Sequence, residues 1–249
     1  MKQKIKSNLE NLFSQNYEVF KNASFIEFVD SILGNNPETF NLNTNSIGSY
    51  YAEEEIAALN NLKQNQELIE LYDLLKGNLK TSNEVIDSFK NEIQESLDLI
   101  KKQVETEKKE FETQIIFIEH DYDSVACFCG FGEGDYPVLE IPKYIKYNYE
   151  KELFNGIGKI NYAQLWNAKI KFEEILEEAD DEFDMSDMIL STEIYDKIQS
   201  AYRFKTFLML HEAFGQLSIK SFEGIPIKLP LYIYGNEHDC ECINVYVYE

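Results

Sequence analysis

The residues whose types and spacing most specifically indicate a chemical function are cysteines and histidines, which fall into two similar groups. In each group two cysteines are separated by one residue, and a histidine lies a few residues away in a Glu-His-Asp tripeptide. Residues two apart in a strand point to the same face, so each pair would present two thiols together. Thiolates and imidazoles are zinc ligands, which makes a zinc site one interpretation. The candidate ligands are Cys127, Cys129, Cys240, Cys242, His120 and His238.

The spacing of these cysteines favours a different interpretation. Structural zinc sites usually place two to four residues between paired cysteines, in a turn. A Cys-x-Cys pair within a strand is more typical of small apolar residues in a core, where free cysteine is common. We therefore expect four buried core thiols, with no metal and no cofactor. A zinc-binding structural protein that uses the Cys-x-Cys pairs stays as an alternative.

Other motifs give weaker indications of chemistry. The glycines between Gly130 and Gly134 match neither a dinucleotide motif nor a P-loop, and the helix carrying His211 has Gly215 where a zinc protease needs a second histidine. No nucleophile lies in a recognisable catalytic motif. An enzyme remains an alternative only if carboxylates and a histidine come together in three dimensions.

Composition limits the kinds of partner that the protein can bind. The 249 residues include 45 acidic and 23 basic side chains, which gives a formal charge of −22, and Arg203 is the one arginine. Such a charge repels the phosphate backbone, so we expect no nucleic-acid binding. The first residues lack the apolar segment of a secretory signal, and no apolar run is long enough to cross a membrane. We expect a cytoplasmic protein.

Hydrophobic periodicity predicts helices for residues 1–112. One long helix is predicted from Tyr50 to Lys76, with Gly77 as its stop, and the next carries an apolar stripe from Val85 to Val104. These two helices are predicted to pair as an antiparallel hairpin. The helical region 1–112 and an α+β region 113–249 are the predicted domains, with one continuous globular unit as the alternative.

From Thr113 the pattern becomes typical of strands. It predicts two β-hairpins, formed by residues 114–131 and 229–248, and a further strand from Val138 to Ile141. A helix is predicted from Tyr162 to Ala179, and a second from 191 to 217 that is apolar all round and therefore buried. The predicted fold is α+β: a helical N-terminal part docked on a C-terminal antiparallel sheet, which packs on helix 191–217.

Acidity and tyrosine content together favour a protein-binding function. A negative surface speeds encounter with a basic partner, and tyrosine supplies amphipathic contact area. We expect non-covalent binding to a basic protein, and bacterial immunity proteins that neutralise basic toxins or nucleases have this physical character. The predicted contact residues are an acidic segment and three tyrosines: Glu173, Glu174, Glu177, Glu178, Asp180, Asp181, Glu182, Asp184, Tyr144, Tyr147 and Tyr149.

Overall fold

A computed structural model describes residues 1–34, 53–80, 82–120, 124–178 and 185–249. Within these ranges no helix has the length and apolar character that a bilayer span requires. The helices are α1 (Lys2–Phe20), α2 (Phe25–Ile32), α3 (Glu53–Leu62), α4 (Gln66–Asn78), α5 (Asn83–Glu107), α6 (Ala163–Glu178), α7 (Met185–Leu190) and α8 (Glu193–Gly215), with short 3-10 helices at Tyr149–Lys151 and Ile219–Phe222.

The chain forms two compact units, and each draws on more than one stretch of sequence. The first, here the sheet unit, comprises Met1–Asn11, Ser82–Gln164 and Lys205–Glu249. The second, here the helical unit, comprises Leu12–Thr81 and Leu165–Phe204. The division of the chain into domains 1–112 and 113–249 stays a prediction from the sequence.

The sheet unit is built on a mixed sheet of β1 (Thr113–His120), β2 (Val125–Phe131), β5 (Glu152–Asn161), β6 (Ile227–Glu237) and β7 (Ile243–Tyr248), while β3 (Gly134–Asp135) and β4 (Lys146–Tyr147) form a separate small pair. In the described residues the strand order of the mixed sheet is β5-β2-β1-β6-β7. Its two hairpins, β1 with β2 and β6 with β7, confirm the hairpins that the sequence predicts.

The sheet is not purely antiparallel as predicted, because β1 and β6 run parallel. These strands are far apart in sequence, and helices lie between them along the chain, which is the usual way to connect parallel neighbours. The pairing places Glu119 opposite Asn236 and His120 opposite Glu237. One parallel junction therefore joins the two hairpins.

Helices cover one face of the sheet, here called the helix-covered face. Its residues on β1 include His120, whose ring lies against Tyr162 and against Phe207 of α8. Tyr162 in turn contacts Phe89 of α5. Gly235 leaves room for Phe207, since a Cβ built at this position would lie 2.5 Å from the Phe207 ring. These contacts confirm that helices pack on the sheet.

The apolar stripe of α5 is buried as predicted, and α5 packs against β5. The hydroxyl of Ser96 accepts a hydrogen bond from the Lys159 amide at 3.0 Å. Gly158 has a φ of +76°, and a side chain there would strike Ser96. A glycine is therefore required at this crossing, both for its backbone conformation and for its size.

The buried helix predicted over 191–217 is α8, which spans Glu193–Gly215. Thr192 precedes it, and its hydroxyl accepts a hydrogen bond from the Tyr195 amide at 3.2 Å. Within the sheet unit the side chains of Phe207, Leu210 and Phe214 are buried. His211 is also buried, and its Nδ1 donates to the Val245 carbonyl at 2.7 Å. Burial lowers the pKa of His211, so it is a core histidine held by β7.

In the helical unit, aromatic side chains from different helices meet in one cluster. Phe25 and Phe28 of α2 contact Tyr72 of α4, with ring centroids 5.8 and 5.3 Å away. Phe172 of α6 contacts all three of these rings. Tyr202 of α8 donates its hydroxyl proton to the Leu75 carbonyl at 2.9 Å. Clusters of this kind contribute both apolar burial and favourable edge contacts.

The sequence predicts a single long helix from Tyr50 to Lys76. This prediction is wrong, because the described part of that range forms two helices, α3 and α4. Asn65 lies at the break and acts as the N-cap of α4, accepting from the amides of Glu67 and Leu68. An asparagine side chain competes with the preceding helix for backbone donors, which explains why the helix restarts here. Gly77 is also not the stop, because α4 continues to Asn78.

This cap gives a first prediction. We expect Asn65→Ala to lower the free energy of unfolding by about 1 kcal/mol, because two amides lose their acceptor. Ser82→Ala is the matched control, since Ser82 occupies the N-cap position of α5 without a side-chain hydrogen bond to the cap. Urea unfolding should show a smaller loss for the Ser82 variant. Equal losses would contradict the assigned cap.

The strand predicted from Val138 to Ile141 is also wrong, because this segment has no regular structure. It runs beside the sheet instead, and the Leu139 amide donates to Asn244 Oδ1 at 2.5 Å. On its other side from β1, strand β2 pairs with β5, which the sequence pattern did not indicate. Gly156 and Gly158, both with positive φ, interrupt the alternation by which a strand is recognised.

Candidate functional site

The face of the sheet opposite to the helices, here called the open face, carries a separate set of side chains. Strand register places Phe117 opposite Cys129 and Glu119 opposite Cys127. Side chains alternate along a strand, so these four share a face that His120 does not. The structure thus brings Cys127 and Cys129 together as predicted, but places His120 on the other side of the sheet.

A cavity of about 350 Å³ opens on this face within the sheet unit. We call it the aromatic groove. Its lining comes from strands β1, β2, β5 and β6, from the segment before β5 and from the turn between β6 and β7. The lining residues are Phe117, Glu119, Cys129, Phe131, Tyr144, Ile145, Tyr147, Tyr149, Glu152, Asn155, Asn236, His238, Asp239, Cys240 and Cys242.

Aromatic rings form one wall of this groove. Tyr147 lies 4.7 Å from Phe131 and 5.1 Å from Phe117 between ring centroids. Tyr149 lies 4.4 Å from Tyr147 and is 73% exposed. Tyr144 donates its hydroxyl proton to the Asp239 carbonyl at 3.1 Å. The three tyrosines predicted as contact residues therefore line the same cavity.

The polar floor of the groove is organised by Glu119. One of its carboxylate oxygens lies 2.6 Å from His238 Nδ1, and the other accepts from Asn236 Nδ2 at 3.2 Å. Asn236 is only 7% exposed, yet its Oδ1 has no hydrogen-bond partner within the described residues. A buried carbonyl oxygen without a partner is costly to the folded state.

The charged side chains that line the groove are mainly acidic. Glu119, Glu152 and Asp239 contribute carboxylates, and among the described residues that line the groove none is lysine or arginine. Glu152 is held by Asn155, whose Nδ2 donates to its carboxylate at 3.0 Å. Burial raises the pKa of Tyr147, which keeps its hydroxyl neutral. A groove with this lining attracts a cation.

The cysteines differ in their environments. Cys129 and Cys242 are buried as predicted, but Cys127 is half-buried and Cys240 is exposed. Cys240 lies in a bend instead of a strand, so the second pair does not share the strand geometry of the first. Cys242 Sγ contacts the Lys143 carbonyl at 3.3 Å. Within the described ranges, no three cysteine, histidine or carboxylate side chains come together as a metal site would require.

The acidic segment predicted for partner binding is only partly described. Asp180, Asp181, Glu182 and Asp184 lie outside the described residues. On α6, Glu174, Glu177 and Glu178 are exposed. Glu173 is instead tied into the helical unit, where it pairs with Lys169 at 2.7 Å and accepts the hydroxyl proton of Tyr195. We therefore read Glu173 as a structural residue.

Sequence reasoning missed Glu119, Glu152 and Asn236. The repeated Glu-His-Asp tripeptide was the available signal for Glu119, because Glu119 of the first copy contacts His238 of the second. Asn236 and Glu152 carry no local motif, and only the strand register brings them to the groove. Comparison of the chain with protein-family models, curated proteins and solved structures found no match.

Proposed function

We propose that this protein acts by non-covalent binding to a basic protein partner, and that the aromatic groove accepts a lysine or arginine side chain of that partner. The observation that carries the proposal is the lining of the groove, which combines carboxylates, aromatic rings and, among the described residues, the absence of lysine and arginine. Each of these three elements favours a cationic hydrogen-bond donor. Their combination within one cavity favours it more specifically than net charge alone.

Aromatic rings supply the first part of the binding energy. A cation over the face of a tyrosine or phenylalanine gains about 0.5–2 kcal/mol, and the stem of a lysine or arginine packs on the same rings. Tyr149 has most of its surface available for such a contact. Binding hot spots are enriched in tyrosine, which makes Tyr149 the expected anchor.

Hydrogen bonding and charge supply the remainder. A guanidinium or ammonium group can donate hydrogen bonds to the carboxylates of Glu119 and Glu152, which also offset the charge that enters. Over longer distances, the formal charge of −22 raises the rate of encounter with a positive protein. We assign the exposed carboxylates of Glu174, Glu177 and Glu178 to this steering.

The narrowest form of this proposal is a cytoplasmic inhibitor that neutralises a basic toxin or nuclease. Such a partner carries the positive surface that the groove and the overall charge would complement. Its lysines and arginines would supply the side chain that enters the groove. The broader form, recognition of a basic protein of another kind, makes the same predictions for the groove residues.

The test measures the affinity of the protein for a fluorescein-labelled oligo-arginine peptide. Fluorescence anisotropy reports the binding at low and at physiological salt. We expect Tyr149→Ala to weaken binding about tenfold, which corresponds to roughly 1.4 kcal/mol. Glu152→Lys should weaken it further, because the variant places a positive charge at the groove. Every variant should keep the wild-type melting temperature, since Tyr149 is exposed and Glu152 is half-buried.

Glu95→Lys is the matched control for charge. Glu95 is exposed on α5 and does not line the groove, yet its substitution changes the net charge by the same amount. The proposal requires Glu152→Lys to weaken binding far more than Glu95→Lys. If the two variants weaken binding equally, the peptide senses only the general field, and the groove is not the binding site.

A further inference from the structure

We infer that the side chain accepted by the aromatic groove is an arginine, which stacks on the ring of Tyr149 while its guanidinium donates to the carboxylate of Glu152. This inference rests on the proposed binding function and narrows the kind of side chain that enters. Two features of the structure carry it. One is an exposed aromatic ring beside a carboxylate on a single short helix, and the other is the engagement of the neighbouring lysines elsewhere.

The 3-10 helix Tyr149–Lys151 positions the ring and the carboxylate. Asn148 precedes the helix, and its side chain accepts a hydrogen bond from the Glu150 amide at 3.0 Å. Side chains three residues apart lie above each other along a 3-10 helix. Glu152 follows Tyr149 by three residues, and both side chains line the groove. The local backbone therefore places an aromatic ring and a carboxylate on the same side.

The ring of Tyr149 offers a supported planar surface. It packs on Tyr147 and on Phe131, with ring centroids 4.4 and 6.2 Å away, while most of the side chain stays exposed. A guanidinium is planar and weakly hydrated, so it stacks on an aromatic face, whereas an ammonium is a compact and strongly hydrated point charge. An exposed ring that is held by its neighbours therefore favours arginine over lysine.

The carboxylate of Glu152 has an oxygen that is available to a donor. Asn155 Nδ2 donates to its Oε2 at 3.0 Å, and within the described residues its Oε1 accepts no hydrogen bond. Arginine carries five N–H donors on a flat fork, so it can donate to Oε1 while its plane lies on Tyr149. Lysine carries its donors on one atom, so an ammonium that pairs with the carboxylate leaves only its stem for the ring.

The protein's own lysines near this helix do not neutralise the carboxylate. Lys151 lies within the helix, but its Nζ is 3.5 Å from the carboxylate of Glu133. Lys109 donates to the backbone carbonyl of Glu152 at 2.9 Å, and its ammonium pairs with Glu107 at 3.0 Å. Within the described ranges no ion pair joins a lysine to the Glu152 carboxylate. A cation from a partner can therefore pair with it.

The experiment compares two fluorescein-labelled peptides of equal charge, hexa-arginine and hexa-lysine, with the full-length protein at physiological salt. Fluorescence anisotropy measures the dissociation constant of each. We expect the arginine peptide to bind at least about fivefold more tightly, because its side chains can stack and donate together. Tyr149→Leu keeps an apolar side chain but removes the aromatic face. It should weaken the arginine peptide about fivefold and the lysine peptide less than about twofold.

Glu152→Gln tests the contribution of the carboxylate. We expect it to weaken the arginine peptide about fivefold, because the charge-assisted hydrogen bond is lost. Glu150→Gln is the matched control, since Glu150 is exposed on the same 3-10 helix and does not line the groove, yet its substitution removes the same charge. This control should change the affinity less than about twofold, as expected for a screened surface charge.

The outcomes separate this inference from the proposed function. Equal affinities of the two peptides, or an arginine preference that persists unchanged in Tyr149→Leu, would overturn the arginine assignment and leave the groove as the site for a cationic side chain. If neither Tyr149→Leu nor Glu152→Gln weakens either peptide, the groove is not the binding site. The proposed function and this inference would then fail together.

Discussion

Leu210→Asp is expected to unfold the sheet unit. Leu210 is fully buried on α8, close along the helix to the buried Phe207 and Phe214. An aspartate there would bury a charge, and an unpaired buried charge is among the most severe single substitutions. We expect a loss of more than about 4 kcal/mol, which is comparable to the whole stability of many domains. Thermal unfolding followed by circular dichroism measures it.

The control is the same substitution at Leu208. Leu208 lies on the same helix, two residues away, but it is half-buried, so its aspartate can reach water. Helix propensity and charge change equally in the two variants, which leaves burial as the difference. We expect Leu208→Asp to remain folded with a smaller loss in melting temperature. Equal effects at the two positions would contradict the orientation assigned to α8.

Glu173→Ala is expected to destabilise the helical unit by about 3 kcal/mol. Lys169 is buried on α6, and its ammonium lies 2.7 Å from the Glu173 carboxylate. The hydroxyl of Tyr195 donates to the same carboxylate. Removing one partner of a buried ion pair leaves the other charge uncompensated, which typically costs 3 kcal/mol or more.

Trp166 reports this change directly, because the Lys169 ammonium lies 5.3 Å from its ring centroid. Tryptophan fluorescence during urea unfolding should therefore shift to lower denaturant for Glu173→Ala. Glu174→Ala is the control, since Glu174 is the next residue but is exposed, and its loss should stay within about 0.5 kcal/mol. If the Glu173 variant were as stable as the Glu174 variant, Glu173 would not be a structural residue. It would then belong with the exposed carboxylates of Glu174, Glu177 and Glu178 that are assigned to steering.

The sequence predicted the elements whose signals are local. The apolar stripe of α5 and the all-round apolar character of α8 indicated burial correctly, because both patterns repeat with the helical period. The break at Asn65 escaped prediction because the apolar spacing continues across it. β5 escaped because Gly156 and Gly158 interrupt its alternation.

The candidate site was predictable only in part. Tyr144, Tyr147 and Tyr149 are close in sequence, and all three line the groove. The polar floor could not be predicted, because Glu119 and Asn236 are brought together by the parallel pairing of β1 with β6. Parallel neighbours are distant in sequence because a long crossover must connect them, so the two strands carry no turn signal that would identify them as partners.

The central claim is that the aromatic groove binds a cationic side chain, and chemical-shift mapping tests it most directly. Isotope-labelled protein is titrated with N-acetyl-arginine amide, with N-acetyl-glutamate amide as the matched control of opposite charge. We predict saturable shifts at the Asn236 side-chain amide and at Tyr147 and Tyr149 with the arginine ligand alone. Shifts that avoid these residues, or that concentrate on Glu174, Glu177 and Glu178, would contradict the claim.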